Sequence, residues 1–119
     1  MLFKRKIYDK FLAWKTECAG KKALLVEGAR RIGKSTVVEE FAKNEYKSYI
    51  LIDFAKASSD VKEYFQLYLN DLDTFFMLLS VQYGVQLHER DSVIIFDEVQ
   101  LFPKAREAIK YLVADGRYD

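Results

Sequence analysis

Residues 28–35 read GARRIGKS, directly after the apolar stretch Ala23–Glu27 (ALLVE) and directly before a segment in which Val37, Val38 and Phe41 recur at helical spacing. A strand that passes into a helix through a loop bracketed by glycines admits few architectures. Gly28 and Gly33 carry no Cβ, so the loop can turn tightly and aim its N–H groups at an anion. The helix that follows adds its positive N-terminal end to the same point. The spacing G-x-x-x-x-G-K-S is that of a phosphate-binding P-loop. In it Lys34 reaches the β- and γ-phosphates and the Ser35 hydroxyl goes to Mg²⁺. A plain strand–turn–helix connection without a ligand is the alternative. Arg30 and Arg31 lie inside the loop, where solvated guanidinium groups are the simpler reading and phosphate contact the sharper one.

A second pattern is Val93–Glu98, VIIFDE, whose Asp97 lies 63 positions after Lys34. Four apolar residues in a row suit a strand covered on both faces of a parallel sheet. A carboxylate at the C-terminal end of such a strand stands where open parallel sheets bind ligands. Asp97 is expected to support Mg²⁺ through its water shell, because Mg²⁺ retains several waters. Glu98 is expected to orient or deprotonate an attacking water. An acidic pair capping a loop is the plainer reading of these two residues taken alone. Gln100 suits either a contact to water or phosphate or a local loop hydrogen bond. Asp53 reads as a structural carboxylate, and His88, in the polar run HERD, as a surface residue.

Between the motifs, periodicity predicts alternating elements. Ile7, Phe11 and Trp14 mark a helix over 7–18, ended by Gly20. A helix runs from about Lys34 to Lys43. Ser48–Phe54 (SYILIDF) reads as a second strand. Two helical pieces follow, with stripes Val61, Tyr64, Phe65, Tyr68 and Phe75, Phe76, Leu79, Tyr83; Asp71 or Asp73 caps the second and Gly84 closes it. The stripes are most simply core. Val93–Phe96 is a third strand. Pro103 starts a last helix carrying Ala105, Ala108, Ile109 and Leu112, stopped at Asp115-Gly116. Alternation of this kind predicts an α/β fold, a P-loop NTPase-type parallel sheet of about three strands flanked by helices.

With 119 residues, half of them hydrophobic, the chain suits one domain, 1–119. Nineteen Lys and Arg against 18 Asp and Glu give no basic excess of the kind that marks nucleic-acid binding. Lys4–Lys6 and Lys104, Arg106 and Lys110 read as solvated faces. Cys18 is the single cysteine, which excludes an internal disulfide. No apolar run approaches the ~20 residues of a membrane helix. Together these features predict a cytoplasmic protein with no membrane contact.

GTPase marks are missing: Gln100, not glycine, stands three residues after Asp97, and no N-K-x-D occurs. GARRIGKS, IDF and LHERDSVIIFDEVQLFPKAREAIKYLVADGRYD together resemble the AAA-type ATPases of bacteria and archaea that join an N-terminal ATPase domain to an uncharacterised nuclease-like C-terminal domain. The resemblance spans nearly the whole chain. It implies that Gly28, Ala29, Arg30, Arg31, Ile32, Gly33, Lys34 and Ser35 bind the phosphates of ATP, with Thr36 at the next helical position. It also implies that Ser35 and Asp97 serve Mg²⁺, and that Glu98 is the catalytic base. A strand order of 5-1-4-3-2 is implied, with the fourth strand and its sensor residue due after Asp119. On that reading the chain is the N-terminal part of a longer protein, truncated before that strand, with low or no steady-state turnover. The edge of the VIIF strand is then left open, filled by a partner chain, or paired with the first strand. A second copy of the chain or a C-terminal domain in cis is the expected protein partner. Other readings are a nucleotide-sensing module without turnover and a small-molecule kinase. Ile7 and Tyr8 are candidates to flank adenine, against simple core packing.

Overall fold

A computed structural model describes residues 2–18 and 34–119, with side chains over 8–17 and 37–119. The expected first strand, Ala23–Glu27, the loop residues 28–33 and Gly20 lie outside the described residues.

The first helix, α1, spans Leu2–Cys18. It starts five residues before the expected position: Phe3 stands four residues before Ile7, so the apolar spacing itself continues upstream, and Leu, Lys and Arg are strong helix formers. Helix α2 spans Lys34–Glu45. Strands β1 (Ser48–Asp53) and β2 (Ser92–Asp97) pair in parallel, in register from Ser48 opposite Ser92 to Asp53 opposite Asp97. Direct pairing of these two strands agrees with the implied order, in which the second and third strands are neighbours. Their crossover carries α3 (Ser59–Leu67) and α4 (Leu72–Tyr83), and α5 (Pro103–Asp115) follows β2.

Local chemistry sets the boundaries. The Ser58 side chain accepts from the Val61 N–H and opens α3. Asp71, not Asp73, caps α4 through the Thr74 N–H, and Gly84 ends it at φ 63° in the left-handed region. Pro103 sits in the first turn of α5, and Gly116 ends that helix at φ 75°.

Side chains alternate across the two strands, so each face of the sheet builds its own core. On one face Val93 packs with Phe11 of α1 and Val37, Phe41 and Ala42 of α2, joined by Tyr46, with Tyr49 and Ile95 at the margin. On the other, Ile50, Ile52 and Phe54 meet Val61, Phe65, Phe75, Phe76, Leu79, Ala105 and Ala108. The aromatic stripes of 61–83 are therefore core. Both faces of VIIF are covered, although only Val93 of the four is fully buried.

Past Gly116 the chain returns along β2. The Asp119 N–H donates to the Ser92 carbonyl (3.1 Å) and the Ile94 N–H donates to the Asp119 carbonyl (3.0 Å), which is a parallel bridge. The carbonyls of Asp91 and Asp97 instead accept from Lys47 and Phe54 on the β1 side. Carbonyls alternate along a strand, so Asp119 lies on the edge opposite β1. The start of that edge is thus occupied by the chain's own residues.

Candidate functional site

Only Tyr46 and Lys47 separate α2 from β1, yet α2 packs on the sheet that β1 belongs to. A link that short between two packed elements makes the chain reverse, so α2 runs back along the strands. Twelve helical residues rise ~18 Å, and six strand residues rise ~20 Å. The start of α2 at Lys34 therefore lies level with the C-terminal ends of the strands, where Asp53 and Asp97 stand opposite each other in register. The Tyr49 hydroxyl, near the start of β1, donates to Glu39 in the middle of α2 (2.8 Å), consistent with that direction. No acidic residue occupies the first turn of α2, so nothing there opposes an anion at its positive end.

The strand ends are built as follows. Asp97 closes β2, and its Oδ1 accepts the N–H of Glu98 (3.0 Å). Glu98 adopts φ 56°, ψ 39°, the left-handed conformation that a residue with a side chain seldom takes. Its carbonyl accepts the Leu101 N–H (3.0 Å), closing the 3₁₀ turn Val99–Leu101. Next, Phe102 stacks on Phe54 (centroids 5.5 Å apart) and meets Phe65 edge-on (5.9 Å), which pins the turn to the core. Gln100 Nε2 donates to Glu98 Oε2 at 2.6 Å. The residue pattern suits Gln100 to a ligand contact or to a local hydrogen bond; the structure shows the local one, made to the candidate base itself. No signal in the residue pattern fixes that partner, because it depends on the left-handed turn at Glu98.

Asp53 behaves as a structural carboxylate: its Oδ1 accepts the Ala55 N–H (2.9 Å). Burial raises the Tyr83 phenol above its ordinary pKa, with the Asp53 charge adding to the effect. His88 is half-buried, and its backbone N–H donates to the Ser92 hydroxyl (2.8 Å) in a knot with Ser48 at the opposite end of the sheet. Lys104 pairs loosely with Glu107 (3.7 Å), and Arg106 and Lys110 are exposed, as a solvated face requires. The Tyr8 hydroxyl donates to Glu45 (2.8 Å) and its ring meets Phe41, so Tyr8 packs against the far end of α2 from Lys34. Those contacts are core packing, and the side chain of Ile7 lies outside the described residues.

Of the expected phosphate loop, Gly28, Ala29, Arg30, Arg31, Ile32 and Gly33 lie outside the described residues, and Lys34, Ser35 and Thr36 are described only as the first turn of α2. The side chains of Lys4–Lys6 and Cys18 are likewise outside them. Among the described residues no group of three or more His, Cys, Asp or Glu is arranged to hold a metal, and no helix is long and apolar enough to cross a membrane.

A family model described as an AAA domain matches residues 20–119, a span that takes in both GARRIGKS and VIIFDE. No curated protein and no solved structure matches the chain. With that match over most of its length, and a parallel α/β sheet flanked by helices, the chain belongs to the AAA domain family.

Proposed function

We propose that the chain binds ATP with Mg²⁺ at the C-terminal ends of its strands, and that the full-length protein hydrolyses it. The observation that carries this reading is the placement of the α2 N-terminus at the same end of the sheet as Asp97 and Glu98. The residues fit the group. Mg²⁺ is held by one or two carboxylates plus phosphates, not by an all-protein cage; Asp97 supplies such a carboxylate, and the GARRIGKS loop leads into a helix start free of acids.

When bound, Mg²⁺ neutralises phosphate charge and helps align the phosphates. Backbone N–H groups of residues 28–36 would hold the phosphates, Lys34 would add a point charge, and Ser35 and Asp97 would serve the metal. Glu98 would take the proton of the attacking water as the water oxygen bonds to the γ-phosphorus and the bond from that phosphorus to the β,γ-bridging oxygen breaks, leaving ADP and phosphate. Turnover in turn would drive a conformational change in a second copy or in a domain following in cis. A nucleotide sensor without turnover shares the binding half of this scheme.

Calorimetric titration with Mg·ATP and Mg·GTP, on wild type and Lys34→Ala, tests the reading. The expected result is saturable Mg·ATP binding, weaker Mg·GTP binding, and loss of both in the variant. Equal binding by wild type and Lys34→Ala would overturn it.

A further inference from the structure

From the geometry after β2 we infer that Gln100 is a positioning residue, setting the direction of the Glu98 carboxylate toward the attacking water. The inference rests on the reading of Glu98 as the base. A glutamate has three side-chain torsions, so a base carried on one is disordered in direction unless something holds it. Here three features do so in sequence. The left-handed backbone at Glu98 (φ 56°) reverses the chain as it leaves β2. The 3₁₀ turn Val99–Leu101, closed by the Leu101 N–H on the Glu98 carbonyl, brings Gln100 back beside Glu98. Phe102, stacked on Phe54, fixes the exit of that turn against the core. The outcome is the 2.6 Å donation from Gln100 Nε2 to Glu98 Oε2, a hydrogen bond to a charged acceptor.

The arrangement is selective about residue type. A carboxamide donates and is uncharged. Glutamate at 100 would set a second negative charge beside the first, and asparagine would fall one methylene short. Left-handed backbone at a residue bearing a side chain carries an energetic cost, and such costs persist where the surroundings impose them. The surroundings here impose one that also orders the carboxylate.

Single-turnover hydrolysis, with protein in excess over radiolabelled Mg·ATP, tests the inference because it registers slow rates. Wild type is compared with Glu98→Gln, Gln100→Met (donor removed, length kept) and Gln100→Ala, with Mg·ATP affinity and thermal unfolding measured on each. Gln100 is exposed, so its variants are expected to unfold like wild type. The expected result is a rate lowered on the order of ten- to a hundredfold in both Gln100 variants, as for a misdirected catalytic group, with Mg·ATP affinity unchanged within about twofold. A rate lowered by Glu98→Gln but untouched by Gln100→Met and Gln100→Ala overturns the role of Gln100 and leaves the base in place. A rate that Glu98→Gln does not lower removes the base, and the positioning role with it.

Discussion

Replacing Tyr46 by phenylalanine removes one oxygen atom, and its effect on stability should depend on pH in a defined way. Tyr46 is 7% exposed, and its hydroxyl donates to Asp119 Oδ2 at 2.6 Å, while the Arg90 guanidinium pairs with Asp119 Oδ1. A hydrogen bond to a charged group contributes ~1.5–3 kcal/mol. Asp119 keeps Arg90 in the variant, so the expected cost near neutrality is about 1–2 kcal/mol. Burial first, and then the hydrogen bond and charge of Asp119, push the Tyr46 phenol far above its ordinary value. Because the folded value is raised, the stabilisation is complete below the unfolded tyrosine value of about 10 and is lost as pH climbs beyond it. The slope is ~1.4 kcal/mol per pH unit for one proton, so by about pH 11 wild type gives up roughly 1.4 kcal/mol that Tyr46→Phe does not. The gap between the two proteins should therefore close at high pH. Burial also raises Tyr8, Tyr49, Tyr83 and Tyr118, but these are common to both proteins and cancel in the difference. Urea unfolding followed by the fluorescence of Trp14, the single tryptophan, gives the gap at each pH. A gap that stays constant up to about pH 11 would refute the reasoning.

Three further outcomes follow from the packing and caps. Phe65 is fully buried and its ring meets those of Phe54, Phe75, Phe96 and Phe102; Phe65→Ala should cost about 3–5 kcal/mol in urea unfolding, and a loss below about 1 kcal/mol would contradict the described core. Gly84 sits at φ 63° with open space where a Cβ would go, so Gly84→Ala should cost about 1–2 kcal/mol from backbone conformation alone; an unchanged melting temperature would count against the left-handed cap. The side-chain and then the backbone hydrogen bond from Thr74 lower the Asp71 carboxyl, so its contribution holds above the ordinary carboxylate range and fades as pH falls through the lowered value. In Asp71→Ala the acid side of the stability–pH curve should be shallower, and an unaltered curve would dismiss the cap as a source of acid sensitivity.

Much of the fold is legible because it is locally encoded. Asp71, Gly84, Pro103 and Gly116 mark helix ends by their own backbone chemistry, and SYILID and SVIIFD carry strand composition at both partners of the parallel pair. What local pattern does not carry is any contact that joins distant residues. The bond from Tyr46 to Asp119 spans 73 positions, and the burial of Ser92 depends on Ser48 and on the backbone of His88 meeting it. The start of α1 carries no such mark, since no Ser, Thr, Asp or Asn stands before Ile7 to cap it. At the candidate site, Asp97 and Glu98 are legible as acids at a strand end. The link from Gln100 to Glu98 is not, since it requires a left-handed residue that composition alone would not place at a glutamate.

The proposed nucleotide site lies where the α2 N-terminus and the ends of β1 and β2 come together. Backbone amide resonances recorded while Mg·ATP is added test it residue by residue. The largest shifts are predicted for Gly28–Thr36 and for Asp97–Gln100, with little change at the other end of the sheet around Gln86, His88 and Ser92. Shifts confined to that opposite end, or none at saturating Mg·ATP, would contradict it.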